Sequence, residues 1–257
     1  MTTKIAVSNQ KGGVGKTTIA INVAGAFAHR DHDVLFIDLD PQGHGTEGLG
    51  FADEYETPEP HLGTVLANID QQDEITRLIH EHEEFDVLPA NIDMFTLETD
   101  LTGSMRSRER LTMALDELNH DYEFVIVDCP PSLDHLTDNA LLACQNILIP
   151  ALAEGTSIRA LEILYDQIDS LEQGYDLTIQ DVGLVANRVE QDGEAEEMMD
   201  WFEDTFAGRL PVWEVRKRVA LKRAWNNGVS IFHHDEDCNM ERVFEEIAES
   251  LEEIDNE

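Results

Sequence analysis

Three features of the sequence predict a single α/β domain built on a mostly parallel, twisted sheet flanked by helices on both faces. Short apolar runs alternate with segments of helical periodicity along the chain. A glycine-rich loop joins the first apolar run to the first helical segment. No internal repeat and no long linker interrupts this alternation, so residues 1–257 read as one domain.

Residues 4–8 (KIAVS) predict the first strand, and 16–29 a helix whose small residues allow close packing. The second strand is 33–38 (DVLFID), followed by the glycine-rich PQGHGTEGLG. The polar stretch after it, with Pro58 and Pro60, reads as surface connection. Helical patterns follow at about 62–82 and 104–119, with a strand at 85–88. The strand 123–128 (EFVIVD) runs into Pro130 and Pro131, which forbid its continuation. Residues 146–152 and 181–189 predict two more strands, and 157–172, 194–207, 219–226 and 240–254 predict helices.

Composition narrows the class. Seventeen Lys and Arg stand against 54 Asp and Glu, a formal charge of −37. Such acidity would suggest disorder in a polar chain, but here 42% of residues are apolar and fall in periodic segments. No apolar stretch is long enough to span a membrane and the N-terminus lacks a signal-peptide pattern, so the expected location is cytoplasmic. Cys129, Cys144 and Cys238 form no C-x-x-C pair, which excludes a disulfide scaffold. Only five of the cations are Lys. Scarce Lys and abundant carboxylate suit a cytoplasm at molar salt, where the Debye length is about 3 Å and like charges are screened. The expected host is a halophilic archaeon.

Residues 11–18 read Lys11-Gly12-Gly13-Val14-Gly15-Lys16-Thr17-Thr18, between a strand and a helix. Three glycines let successive N–H groups turn inward on an anion, and the helix adds the positive end of its dipole. Lys16 is placed for the β- and γ-phosphates, the Thr17 hydroxyl for Mg²⁺, and Thr18 for the α-phosphate. Two aspartates end the second strand, Asp38 and Asp40, at the sheet edge where open α/β folds bind ligands. One of them can orient an attacking water while the other supports the Mg²⁺ shell. Asp128, ending its own apolar strand, is placed to hold a Mg²⁺-bound water. Cys129 reads as a small buried hydrophobe.

Lys11 stands where the general phosphate-loop pattern G-x-x-x-x-G-K-[ST] has its first glycine. The loop therefore resembles the deviant Walker A motif KGGxGKT of the ParA/MinD/nitrogenase-iron-protein ATPases, a group of P-loop NTPases. VLFIDLDPQG resembles the Walker A′ segment of ParA rather than MinD, and DCPPSL with LTDNALLACQNILIP matches ParA over some twenty-five residues. The chain is thus similar to a short, Soj-like ParA without an N-terminal helix-turn-helix extension. The resemblance implies ATP and Mg²⁺ as cofactors and an ATP-dependent homodimer in which Lys11 contacts the partner's nucleotide. It implies that loss of Asp40 blocks hydrolysis but spares ATP binding, and that Asn187 recognises adenine. It also implies nonspecific DNA binding over the nucleoid, and hydrolysis stimulated by a ParB-like protein or a cargo adaptor, for chromosome or plasmid partition or cargo positioning. Around 215–224 the chain departs from the family, with Arg216 at an adenine-contacting Pro and Ala220 at a DNA-contacting Arg.

Residues 209–223 hold six of the cations, Arg209, Arg216, Lys217, Arg218, Lys222 and Arg223, against Glu214 alone. They could bind DNA phosphates without reading sequence, or pair with the protein's own carboxylates. Two rivals remain beside DNA transport. A MinD-like regulator would need a basic amphipathic C-terminal helix, whereas 235–257 carries eleven acids and one cation, Arg242, so no membrane binding is expected. A nucleotide-binding scaffold without DNA binding is disfavoured by the intact Asp38, Asp40 and Asp128. A nitrogenase-type cluster carrier would need paired cysteines.

Overall fold

In the computed structural model, which describes residues 2–190, 193–234 and 238–254, the apolar runs assemble into an eight-stranded sheet. Its strands are β1 (Thr3–Val7), β2 (Val34–Asp38), β3 (His80–Glu81), β4 (Asp86–Leu88), β5 (Phe124–Asp128), β6 (Asn146–Leu152), β7 (Gln180–Val189) and β8 (Val212–Arg216). Their spatial order is β3-β4-β2-β5-β1-β6-β7-β8, and only the short edge pair β3–β4 is antiparallel. The helices are α1 (Lys16–His29), α2 (His44–Gly48), α3 (Leu62–Ala67), α4 (Met94–Leu101), α5 (Arg110–Leu115), α6 (His135–Cys144), α7 (Thr156–Tyr175), α8 (Gly193–Phe206), α9 (Val219–Asn226) and α10 (Glu241–Glu252).

The central strands are apolar on both faces because both faces are covered. β2 and β5 are buried at every position. Successive residues point to opposite sides, so Leu35, Ile37, Val125 and Val127 enter one core and Val34, Phe36, Phe124 and Ile126 the other. Residues of α3 to α8 fill the first core, and those of α1, α9 and α10 the second. Each large apolar side chain so buried contributes about 1.5–3 kcal/mol. The small residues of α1 serve close packing as expected: a Cβ at Gly25 would collide with Ser230.

The structure corrects several sequence expectations. The helix expected over 62–82 stops at Ala67, because Asn68 is extended (φ −118°, ψ 112°). A 3₁₀ stretch, Ile69–Leu78, and edge strand β3 follow it. The helix expected over 104–119 shrinks to Arg110–Leu115, since Gly103 and Arg106 take positive φ and break the turn before it. Four further elements were not foreseen: α2 within the glycine-rich loop, α4, β8 within the basic segment, and α6. That last helix is capped by Asp134, whose Oδ1 accepts from Leu136 and Thr137 N–H at 3.1 and 3.4 Å. No helix among the described residues is long and apolar enough to cross a membrane.

Candidate nucleotide site

Parallel pairing of β1, β2 and β5 brings the loop after β1 beside two carboxylates. Val7 lies level with Asp128, and Asp128 level with Asp38. The loop closes on α1 through Gly13 (φ 78°) and Gly15 (φ 89°), left-handed conformations that favour glycine. No side chain caps α1 and no acid lies in its first turn, an arrangement that leaves its first N–H groups open to an anion.

Two asparagines brace this loop. Asn9, which has no exposed surface, accepts from Lys11 N–H at 2.9 Å and donates to the Pro150 carbonyl at 2.7 Å. Asn187 donates to the Val14 carbonyl at 2.8 Å and accepts from Arg188 N–H at 2.9 Å. It sits so close beneath Gly15 that a Cβ there would overlap its amide. The structure thus places Asn187 under the phosphate loop, with both ends of its amide engaged within the chain. Beside it opens a cleft of about 360 Å³, lined by Leu152, Glu154, Asn187, Arg188, Glu190 and Lys217 among others.

Lys16 begins α1 with its side chain buried. Burial lowers its pKa, and the carboxylates of Asp128 and Asp40 oppose that shift. Lys11 lies over the next loop, its Nζ 3.0 Å from Glu154 Oε2 and 2.6 Å from Thr156 Oγ1. Within one protomer this lysine is therefore held by its own chain.

The three aspartates differ in what surrounds them. Asp38 is wholly buried and fully engaged. Its Oδ2 accepts from Thr46 N–H at 2.7 Å and from Thr46 Oγ1 at 2.8 Å, and its Oδ1 accepts from Asp40 N–H at 3.2 Å. Burial nevertheless pushes its pKa up to about 6. Asp40 accepts from Gln42 N–H at 2.9 Å and retains 7% of its surface. Its pKa is raised by burial, with Lys16 and His44 among the groups pulling back. Asp128 is also wholly buried, yet neither carboxylate oxygen has a hydrogen-bond partner. Burial, then the charge of Asp38, raises its pKa well above the ordinary carboxylate value. The Thr17 hydroxyl lies near enough to oppose the shift without completing a bond to either oxygen.

An unpartnered buried carboxylate is costly unless something fills its lone pairs. Asp128 and Thr17 are oxygen donors beside an anion-binding loop, the donor set that suits Mg²⁺. Asp38, also expected in the metal shell, instead has both oxygens bound to neighbours. Cys129 is the buried small residue the sequence suggested, its thiol pKa raised by burial.

The AAA domain family matches residues 2–181. Over 253 residues, 96% of this chain and 97% of the other, the sequence is 30% identical to "Sporulation initiation inhibitor protein Soj" of Bacillus subtilis. The chain belongs to the ParA/Soj family of ATPases. It is also 40% identical over 172 residues to "Chromosome partitioning protein ParA" of Myxococcus xanthus. That match covers 66% of this chain but only 59% of the relative. Among solved structures, cobyrinic acid a,c-diamide synthase from Mycobacterium smegmatis, determined with an ATP analogue and magnesium, shares the fold at a TM-score of 0.76. The two are 28% identical, over 89% of this chain and 97% of that one.

In this ParA/Soj chain the basic segment is not one patch. Arg209 precedes β8, and its Nη2 pairs with Asp181 Oδ2 at 2.6 Å while the guanidinium lies 5.0 Å from the Tyr165 ring centre. Arg216 ends β8, four residue steps or about 13 Å beyond the strand's start. Arg216 pairs with Glu214 at 2.6 Å, Lys217 with Glu190 at 3.0 Å, and Arg218 donates to Asn239 at 2.9 Å. Lys222 and Arg223 are exposed on α9. Linear proximity suggested a cluster, but an intervening strand carries Arg209 to the opposite edge of the sheet.

Sequence reasoning did not single out Asn9, Thr46, Glu154 or Thr156. Thr46 lies inside the glycine-rich PQGHGTEGLG already read, and Asn9 between the first strand and the phosphate loop. Glu154 and Thr156 are 143 and 145 residues from Lys11 and carried no local signal.

Proposed function

We propose that this chain binds ATP with Mg²⁺ at the phosphate loop, dimerises around it, and hydrolyses it to ADP and phosphate to position DNA or another cargo. The observation that carries the reading is Asp128, buried and unpartnered beside an uncapped helix start. Bound Mg²⁺ would neutralise phosphate charge, with Thr17 and Asp128 as the groups to hold it. The loop N–H groups and Lys16 bind the phosphates, and Asp40 orients the attacking water. The cleft beside Asn187 is the place for the nucleoside. A ParB-like protein or cargo adaptor is the proposed activator of hydrolysis.

Dimerisation rests on Lys11 exchanging Glu154 and Thr156 for the partner's nucleotide. Lys11→Ala is expected to bind ATP within threefold of the wild type yet remain monomeric, measured by light scattering in molar KCl, the ionic strength its acidic surface suits. A mutant dimer of normal stability with ATP would sink the trans-lysine role.

DNA binding is assigned to the surface of Arg216, Arg218, Lys222 and Arg223, without Arg209. A single protomer offers few cations in a strongly negative field, whereas a dimer makes the second contact effectively intramolecular. Arg216→Glu with Arg218→Glu is expected to weaken ATP-dependent DNA binding at least tenfold with ATPase activity near normal, read by interferometry across a salt series. Equal binding with ATP, ADP and no nucleotide, or retention in the double mutant, would favour a nucleotide-driven scaffold without DNA binding. A MinD-like membrane role finds no support in α10, whose apolar residues Phe244, Ile247, Ala248 and Leu251 are buried in the core with α1.

A further inference from the structure

We propose that Thr46 is a positioning residue for hydrolysis. Through Asp38 it fixes the turn that carries Asp40, a role that rests on the ATPase reading above. Thr46 has no exposed surface. Its hydroxyl accepts from Ala90 N–H at 2.8 Å, which commits its own proton to Asp38 Oδ2 at 2.8 Å. Its N–H reaches the same oxygen at 2.7 Å. The other oxygen of that carboxylate accepts from Asp40 N–H. The path from Thr46 to Asp40 is thus two hydrogen-bonded steps through one immobilised carboxylate. Charge-assisted bonds of this kind are short and directional, so they set orientation as well as contact.

The helix that presents Thr46 is itself held. A Cβ at Gly45 would press on the Phe36 ring and Asp38 Oδ2, and one at Gly48 would overlap the Trp225 indole of α9. At its start, Gly43 N–H donates to the Asp40 carbonyl at 2.8 Å, and Tyr55 OH to the Pro41 carbonyl at 2.6 Å. The turn that carries Asp40 is thus tied to its neighbours at several points, and Thr46 is the member that grips the carboxylate next to Asp40. Without the Thr46 hydroxyl, Asp38 loses one of its three hydrogen bonds, Ala90 N–H loses its acceptor, and the 38–40 turn is less firmly anchored. A displacement of about 1 Å in a water-orienting group costs on the order of a hundredfold in rate.

The test compares Thr46→Val, which keeps shape but removes the hydroxyl, with Thr46→Ser, which restores it. Turnover is expressed per active site, counted by titration with a fluorescent non-hydrolysable ATP analogue, so loss of folded protein does not register as loss of catalysis. Thr46→Val should lose roughly a hundredfold in kcat with KM within threefold, and Thr46→Ser should stay within threefold on both. In an Asp38→Asn background, Thr46→Val should cost no more than a further threefold, because the two residues act in series. If Thr46→Val yields too little folded protein, Thr46→Ala replaces it with the same expectation. A per-site kcat within threefold of the wild type in the variant that folds overturns the proposal. A wild type without turnover overturns the ATPase reading and Thr46's role with it.

Discussion

Asp40→Ala is expected to hydrolyse ATP about a thousandfold more slowly than the wild type while binding ATP within threefold and accumulating as a dimer. The factor is the middle of the range for losing a positioned acid–base group. Asp40 is suited to that work by position and by environment. It keeps a small opening to the site, one oxygen is fixed by Gln42 N–H, and burial raises its pKa. The loop N–H groups and Lys16, proposed to bind the phosphates, are untouched by the substitution, so binding and chemistry should separate. Phosphate release under single-turnover conditions, with ATP affinity measured in parallel, checks this. Turnover within tenfold of the wild type would move the water-orienting role away from Asp40.

Asp128→Asn is expected to stabilise the nucleotide-free protein and to remove its response to Mg²⁺. Asp38 and Asp128 are wholly buried and level on neighbouring strands; burial raises both pKa values, and the charge of Asp38 raises that of Asp128 further. A carboxyl whose folded pKa lies above its unfolded value binds protons more tightly when folded. Its contribution is therefore most favourable below the unfolded pKa and declines as pH rises through the folded one. For Asp38, moved from 3.8 to about 6, this amounts to about 3 kcal/mol forfeited by neutral pH. Asp128 shifts in the same direction, without the hydrogen bonds that Asp38 has. Asparagine removes one of the two buried charges at nearly constant volume, and Asp40 remains as a counter-charge to Lys16.

The nucleotide-free variant should therefore melt higher by about 4 °C or more at pH 7, at some 2–4 °C per kcal/mol for a chain of this size. Wild-type stability should rise as pH falls from 7 toward 5, more steeply than the variant's. Below about pH 4.5 the trend reverses, because Glu109, Glu123 and Glu252 have depressed pKa values and lose their stabilising bonds on protonation. With nucleotide present, Mg²⁺ should raise the wild-type melting temperature and leave that of Asp128→Asn unchanged. Scanning calorimetry across pH, with and without Mg²⁺ and ATP, reads all of this. A lower melting temperature for the nucleotide-free variant at pH 7 would mean that Asp128 is compensated within the protein.

Much of this was legible from the chain alone, where local chemistry dictates local shape. Continuous apolar runs with helices between them implied a sheet covered on both faces, because only such strands bury both sets of side chains. Lys11 to Thr18 implied an anion site, because glycines at the required turns, a lysine and a helix start are adjacent in sequence. The ends of β2 and β5 implied that Asp38, Asp40 and Asp128 meet, because strand ends in a parallel sheet share one edge. The misread segments, 62–82 and 104–119, were those where periodicity competes with backbone breaks at Asn68, Gly103 and Arg106 that a pattern of apolar residues does not register.

Tertiary structure alone decided what each site residue touches. Lys11 meets Glu154 and Thr156, Asn187 lies beneath Gly15, Thr46 grips Asp38, and Arg209 is separated from Arg216. The Lys11 and Asn187 contacts join residues more than 140 positions apart, and their partners are set by which strands become neighbours. Spacing along the chain fixes a turn or a periodicity within a few residues. Sheet order and helix packing, which minimise exposed apolar surface over the whole molecule, then choose which polar groups pair, and leave both carboxylate oxygens of Asp128 without a partner.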